Sequence, residues 1–175
     1  MNLVKGNKKG VTLVEMLIAV LLLSLVFMAV SALYVASQRF YFVSSDKAIL
    51  GYELQYVVQH ISNNAMKGIG DAISSGAEAI DVPDAETLDI RINNNDPVTG
   101  ANYQDVVTYS YYKDGDELKF DNGSSEIDSL AQKVTITEVN FSKNGNLLEG
   151  RITAAYKTQS MTLYFACYPR MASFY

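Results

Sequence analysis

The carboxylate of Glu15 is the group in this sequence whose position most needs a chemical reason. It stands at the head of Met16 to Gln38, 23 residues without a charge. A carboxylate inside such a segment costs on the order of 2.5–3.5 kcal/mol at mid-bilayer and less near an interface. Thr12-Leu13-Val14-Glu15 has the spacing of a capping box, in which two side chains satisfy amides at a helix start. The helix dipole also favours an anion in the first turn. Capping accounts for Glu15 alone. It does not account for Lys5, Lys8, Lys9 and Gly10 just upstream, a basic leader ending in glycine where polarity changes sharply at Val11.

Elsewhere, residues fit for catalysis or metal binding are sparse. His60 is the one histidine, placed on a predicted helix as a surface or partly packed residue. Cys167 is the one cysteine, so no internal disulfide can form, and its alternating apolar strand makes it a small core residue. No nucleophile elbow, phosphate-binding loop or zinc spacing occurs. Asp114, Asp116, Glu117, Asp121 and Glu126 flank predicted turns, match no calcium-loop spacing, and read as solvated turn carboxylates. These observations point to a chain that is not an enzyme and needs no cofactor or metal.

The elements around Glu15 follow from length and polarity. An α-helix needs roughly 20 apolar residues to cross a bilayer core of about 30 Å. Met16 to Gln38 would span roughly 34 Å, and no Pro or Gly lies between Val11 and Leu50. The basic flank predicts a cytoplasmic amino end and an extracytoplasmic remainder. Phe40-Tyr41-Phe42 reads as an interfacial aromatic anchor. Beyond it, Val43, Leu50, Leu54, Val57 and Ile61 recur on one helical face, while Gln55, Gln59 and Asn63 fall on the solvated side. Lys67-Gly68 reads as the stop, giving a helix from Val11 to Met66 of about 84 Å if continuous.

After Gly68 the pattern changes. Residues 70–86 read as an acidic, small-residue connecting loop. Then come alternating runs at Thr87–Ile92, Val106–Tyr112, Glu117–Phe120, Lys133–Phe141, Leu147–Tyr156 and Ser160–Tyr168. Asn93-Asn94-Asn95-Asp96-Pro97, Asp114-Gly115, Asp121-Asn122-Gly123 and Asn144-Gly145 separate them, and such pairs between alternating runs signal hairpins. The expected fold is α+β: a long amino-terminal helix, membrane-spanning in its first half, packed against an antiparallel sheet head. The expected segments are a leader at 1–10, a transmembrane helix at 11–38, its amphipathic continuation at 39–67 and a head at 68–175. Twelve tyrosines fit the half-buried strands without a ligand role. The formal charge is −5, and −8 without the first ten residues because three lysines leave. So acidic a chain is a poor general partner for nucleic acid.

Lys8-Lys9-Gly10, Val11, Thr12-Leu13-Val14-Glu15 and Met16-Leu17-Ile18-Ala19-Val20 resemble the junction of type IV prepilins and pseudopilins. The resemblance implies cleavage between Gly10 and Val11 by a prepilin peptidase that also methylates the Val11 amine. It implies that Glu15 helps dock the subunit into a filament. It also implies three kinds of partner: sibling pilin or pseudopilin subunits, an inner-membrane assembly platform and the lipid bilayer. Val11 stands where Phe is common in the family, and Ser24 and Ala32 stand where major pilins carry a helix-breaking Gly and Pro. An unbroken helix suits a minor pilin or pseudopilin. The stretch from Asp105-Val106-Val107-Thr108-Tyr109 through Leu118, with Val134–Phe141 and Arg151-Ile152-Thr153, also resembles J-type pseudopilins and W-type minor pilins. The resemblance thus implies a pilus, type II secretion or competence subunit. Two other readings stay open: a single-pass anchored binding protein that never polymerises, and a secreted protein with an ordinary signal peptide.

Overall fold

The computed structural model describes residues 11–68, 78–93, 106–124 and 127–169. The chain divides into two units, Met1–Val43 and Ser44–Tyr175. Helix α1, Leu13–Ala65, supplies the first unit's described secondary structure and opens the second. Eight strands follow: β1 (Ile80–Asp84), β2 (Thr87–Asn93), β3 (Val106–Asp114), β4 (Glu117–Asp121), β5 (Ile127–Ser129), β6 (Thr135–Asn144), β7 (Leu147–Tyr156) and β8 (Gln159–Cys167). The architecture is α+β and pilin-like, as the sequence predicts.

In the first unit every residue from Val11 to Val43 is exposed. The helix is long and apolar enough to cross a membrane. Two of its serines hold their hydroxyls within the helix: Ser24 Oγ donates to the Leu21 carbonyl and Ser31 Oγ to that of Phe27, each at 2.7 Å. Such back-bonding removes the cost of an unpaired donor in hydrocarbon.

In the second unit the helix stripe is buried as expected at Leu50, Leu54, Val57 and Ile61, all with no exposed surface. Val43 was expected on that stripe, but it is exposed and lies in the first unit. The stripe instead continues to Asn64 and Ala65. Gln55, Gln59 and Asn63 are exposed. The helix ends by tightening. Met66 N–H still reaches the Ser62 carbonyl at 3.0 Å, but Lys67 and Gly68 donate to Asn64 and Ala65, three residues back. A Cβ at Gly68 would lie 3.0 Å from the Ala65 carbonyl oxygen, so a side chain there would crowd the closing turn.

The strands are antiparallel throughout and divide into two sheets, ordered β1-β2-β3-β4-β5 and β6-β7-β8. Alternation along a strand fixes which face is apolar but not which strand lies beside it, so one sheet was a natural expectation from sequence. Both sheets contribute to one core with the helix: Leu88, Ile90, Tyr111 and Leu118 from the first, and Ile136, Leu148, Ile152 and Ala154 from the second. Each fully buried Leu or Ile is worth about 1.5–3 kcal/mol of transfer free energy. A bulge between Ile136 and Glu138 changes the phase of β6, so that Ile136 and Val139 both face inward. The sheets are tied where β6 meets two hairpin turns: Phe141 N–H donates to the Ala85 carbonyl and Ile136 N–H to that of Asp116, each at 2.8 Å.

Two of the expected hairpin turns are present with one adjustment, and a third turn was not expected. Asp114 pairs with Glu117, and Asn144 with Leu147. The glycine of Asp114-Gly115 and of Asn144-Gly145 is therefore the first of two loop residues, with φ of 58° and 60°. Gly at that position suits a II′ turn. Lys157 takes the same place between β7 and β8 with φ 53°, and its ammonium lies 2.7 Å from Asp46 Oδ1. Two strands were absent from the sequence reading. β1 lies in the stretch read as a loop, and β5 has only three residues. The predicted turn Asn93-Asn94-Asn95-Asp96-Pro97 lies, after Asn93, outside the described residues.

Candidate functional site

The amino-terminal site begins with Thr12 as the residue before the first turn of α1. Thr12 N–H donates to Glu15 Oε2 at 3.0 Å, and Thr12 Oγ1 donates to the same oxygen at 3.1 Å. Glu15 N–H donates in turn to Thr12 Oγ1 at 3.2 Å. This is the reciprocal capping box that the spacing predicts. It fixes the rotamer of Glu15, satisfies two amides at the helix start, and commits Oε2. No further bond engages Oε1 among the described residues. Next to this carboxylate, Val11 is three-quarters exposed, and Leu13, Val14, Met16 and Leu17 are all exposed. The arrangement presents one oriented anion at the end of an apolar rod. It can accept a hydrogen bond or pair with a cation on another molecule.

Of the other predicted site residues, Lys5, Lys8, Lys9 and Gly10 lie outside the described residues. The structure brings together Thr12 and Glu15 by the cap alone. The first residues of the motif are positioned by local sequence, with no tertiary contact needed.

A second polar cluster lies in the other unit, where helix meets sheet. Asn64 Nδ2 donates to the Tyr111 hydroxyl at 2.7 Å, and that hydroxyl lies 3.1 Å from His60 Nδ1. Asn64 and Tyr111 are buried, and the His60 ring stands edge-on to Phe120 at 4.7 Å and to Tyr111 at 5.8 Å. Burial pushes the Tyr111 phenol well above its ordinary range. Burial is also the main reason the His60 imidazole is harder to protonate; Lys67 adds to the effect and Asp128 opposes it. His60 is thus partly packed, as its helix position suggested. Asn64 was missed, although it falls three residues after Ile61 and so continues the buried stripe. Cys167 is partly buried against the core, and burial raises its thiol pKa. Among the described residues no three His, Cys, Asp or Glu side chains gather as a metal site.

Residues 5–31 match a family model described as the prokaryotic N-terminal methylation motif. No curated protein and no solved structure matches the chain. The matched residues run from Lys5 through the capped helix start and well into the apolar helix. Proteins defined by this motif are structural subunits rather than catalysts. By its motif and its capped apolar helix, the chain has the amino terminus of a type IV prepilin-like precursor.

Proposed function

We propose that this chain is a minor pilin or pseudopilin subunit of a type IV pilus or of a type II secretion or competence pseudopilus. Residues 1–10 are its leader, 11–38 its membrane and filament-core helix, 39–67 the helix continuation and 68–175 its head. A prepilin peptidase cuts between Gly10 and Val11 on the cytoplasmic side and methylates the new Val11 amine. Lys5, Lys8 and Lys9 hold the leader at the cytoplasmic face of the cell membrane, and the head lies outside it. Sibling subunits and an assembly platform then draw the helix into a filament.

The single observation that carries this reading is the coincidence of the methylation motif with a capped carboxylate at the start of an apolar helical stretch exposed from Val11 to Val43. Apolar packing alone tolerates sliding of one helix along another. A carboxylate in the same bundle does not, because an unpaired charge is costly and a paired one is less so. The cationic amine of a neighbouring Val11 meets Glu15 at one axial offset, so the pair sets the register. Glu15 Oε1, uncommitted by the cap, is the acceptor for it.

Mass spectrometry of the native mature protein tests the proposal. The expected amino terminus is methylated Val11. An intact Met1 would instead support the anchored binding protein that never polymerises, and a start near Ala32 or Gln38 would support ordinary export. Glu15→Ala should leave insertion and cleavage largely intact while reducing incorporation into filaments. Unchanged incorporation of that variant would remove the register role of Glu15.

A further inference from the structure

The four sheet edges of this protein are treated unequally. An edge strand exposes a row of unpaired N–H and C=O groups, and proteins blunt such rows with short strands, proline, bulges, charge or cover. Edge strand β1 carries Pro83 and an irregular register between Asp81 and Asp84. Edge strand β5 is three residues long. Edge strand β6 has the amides of Ile136 and Phe141 bonded to hairpin turns of the other sheet. Strand β8 has none of these devices. It runs nine residues from Gln159 to Cys167 without proline, glycine or charge, and its register with β7 is unbroken from Gln159 to Cys167. Among the described residues nothing pairs with its far side.

The side chains agree with the backbone. On the central strand β7 the inward residues Leu148, Ile152 and Ala154 have no exposed surface. Their neighbours on β8, among them Met161, Leu163 and Phe165, are only partly buried although they pack against the same core. On the opposite face Tyr164 is 73% exposed. One more strand beside β8 would cover the inward row and give Tyr164 a second cross-strand neighbour, beside Arg151 on β7.

We infer that β8 is a pairing edge for β8 of a second copy of this chain. The complement to an alternating row of peptide groups is another extended backbone, and the other described edges of this chain are short, interrupted or already bonded. Two copies related by a two-fold axis place β8 against β8 antiparallel, residue i against j and j against i. The strand is uncharged, so this pairing brings no like charges together. The two three-stranded sheets become one sheet of six. This pairing does not depend on the filament reading, because it uses the head and not Glu15 or the leader.

The test is the association state of the full chain in detergent micelles by sedimentation equilibrium, with amide hydrogen exchange on the same samples. The expected result is a dimer in which alternate β8 amides exchange slowly and lose that protection on dilution. Ser160→Lys together with Ala166→Lys changes two exposed positions on β8 and should weaken the dimer at least about tenfold, with an unchanged melting temperature at dilutions where the wild-type chain is monomeric. A monomer, or a dimer indifferent to the two lysines and held through the apolar helix instead, would overturn the inference. Should the double variant fail to fold, the exchange measurement on the wild-type chain decides: β8 amides that exchange fast at every concentration overturn it as well.

Discussion

Tyr111 shows how one hydroxyl can hold two elements together. Its oxygen accepts from Asn64 Nδ2 at 2.7 Å, which leaves its own proton for His60 Nδ1 at 3.1 Å. Asn64 and His60 sit on the helix and Tyr111 on β3, so the phenol joins helix to sheet inside an otherwise apolar layer. Removing it alone leaves the buried Asn64 amide without its acceptor. Tyr111→Phe should therefore destabilise the head by about 1–3 kcal/mol, the usual cost of an orphaned buried polar group. Urea unfolding of the full chain in micelles, followed through its tyrosines, measures this. Adding Asn64→Leu to that variant should recover part of the loss, since the orphan is then gone. A double variant weaker by the simple sum of the two single losses would contradict the pairing. Glu15 differs in kind: its partner Thr12 is three residues away, so the sequence alone revealed it. Asn64 and Tyr111 are 47 residues apart, and no local pattern connects them.

At the scale of elements, the sequence disclosed what local rules dictate and concealed what neighbours decide. The helix, its stop at Lys67-Gly68 and six of the eight strands were readable from period and turn residues. β1 escaped because Ile80-Asp81-Val82-Pro83-Asp84 is acidic and contains a proline, which strands accept at an edge. β5 escaped because three residues cannot display a period. Turn glycines were also readable, but their exact place in the loop was not, because register belongs to the paired strands. The glycines allow a sharp comparison. Gly145 has φ 60° and open space around its missing side chain, so Gly145→Ala should cost only the backbone term, about 1 kcal/mol. Gly150 has the Phe165 ring where its Cβ would be. Gly150→Ala should force that ring aside and cost about 1–3 kcal/mol, as overpacking does. Denaturation midpoints of the two variants give the comparison, and equal losses would mean that the ring relaxes freely.

For the whole molecule, the buried cluster makes the stability of the head depend on pH through its single histidine. The bonding pattern suits a neutral imidazole whose Nδ1 accepts from Tyr111. Protonation would place a second donor against that phenol oxygen and take away the phenol's acceptor. The groups facing the ring are Tyr56 on its own helix, Tyr111 and Phe120 on the sheet, Lys67 after the helix and Asp128 on β5. Burial leads in lowering the folded pKa below the ordinary value of 6.5, Lys67 reinforces it, and Asp128 acts in the opposite sense. The unfolded chain therefore binds the proton more readily than the folded one, so stability rises with pH across the window between the two pKa values. The contribution of His60 is complete above the unfolded pKa, is lost as pH falls toward the folded one, and is constant below it. Urea midpoints between about pH 8 and about pH 5, above the range where ordinary carboxylates titrate, should fall with acidification. In His60→Gln that slope should largely vanish, because the amide oxygen can still accept from Tyr111 but does not titrate. An undiminished slope in the variant would assign the pH dependence to carboxylates instead and leave His60 a packing residue only.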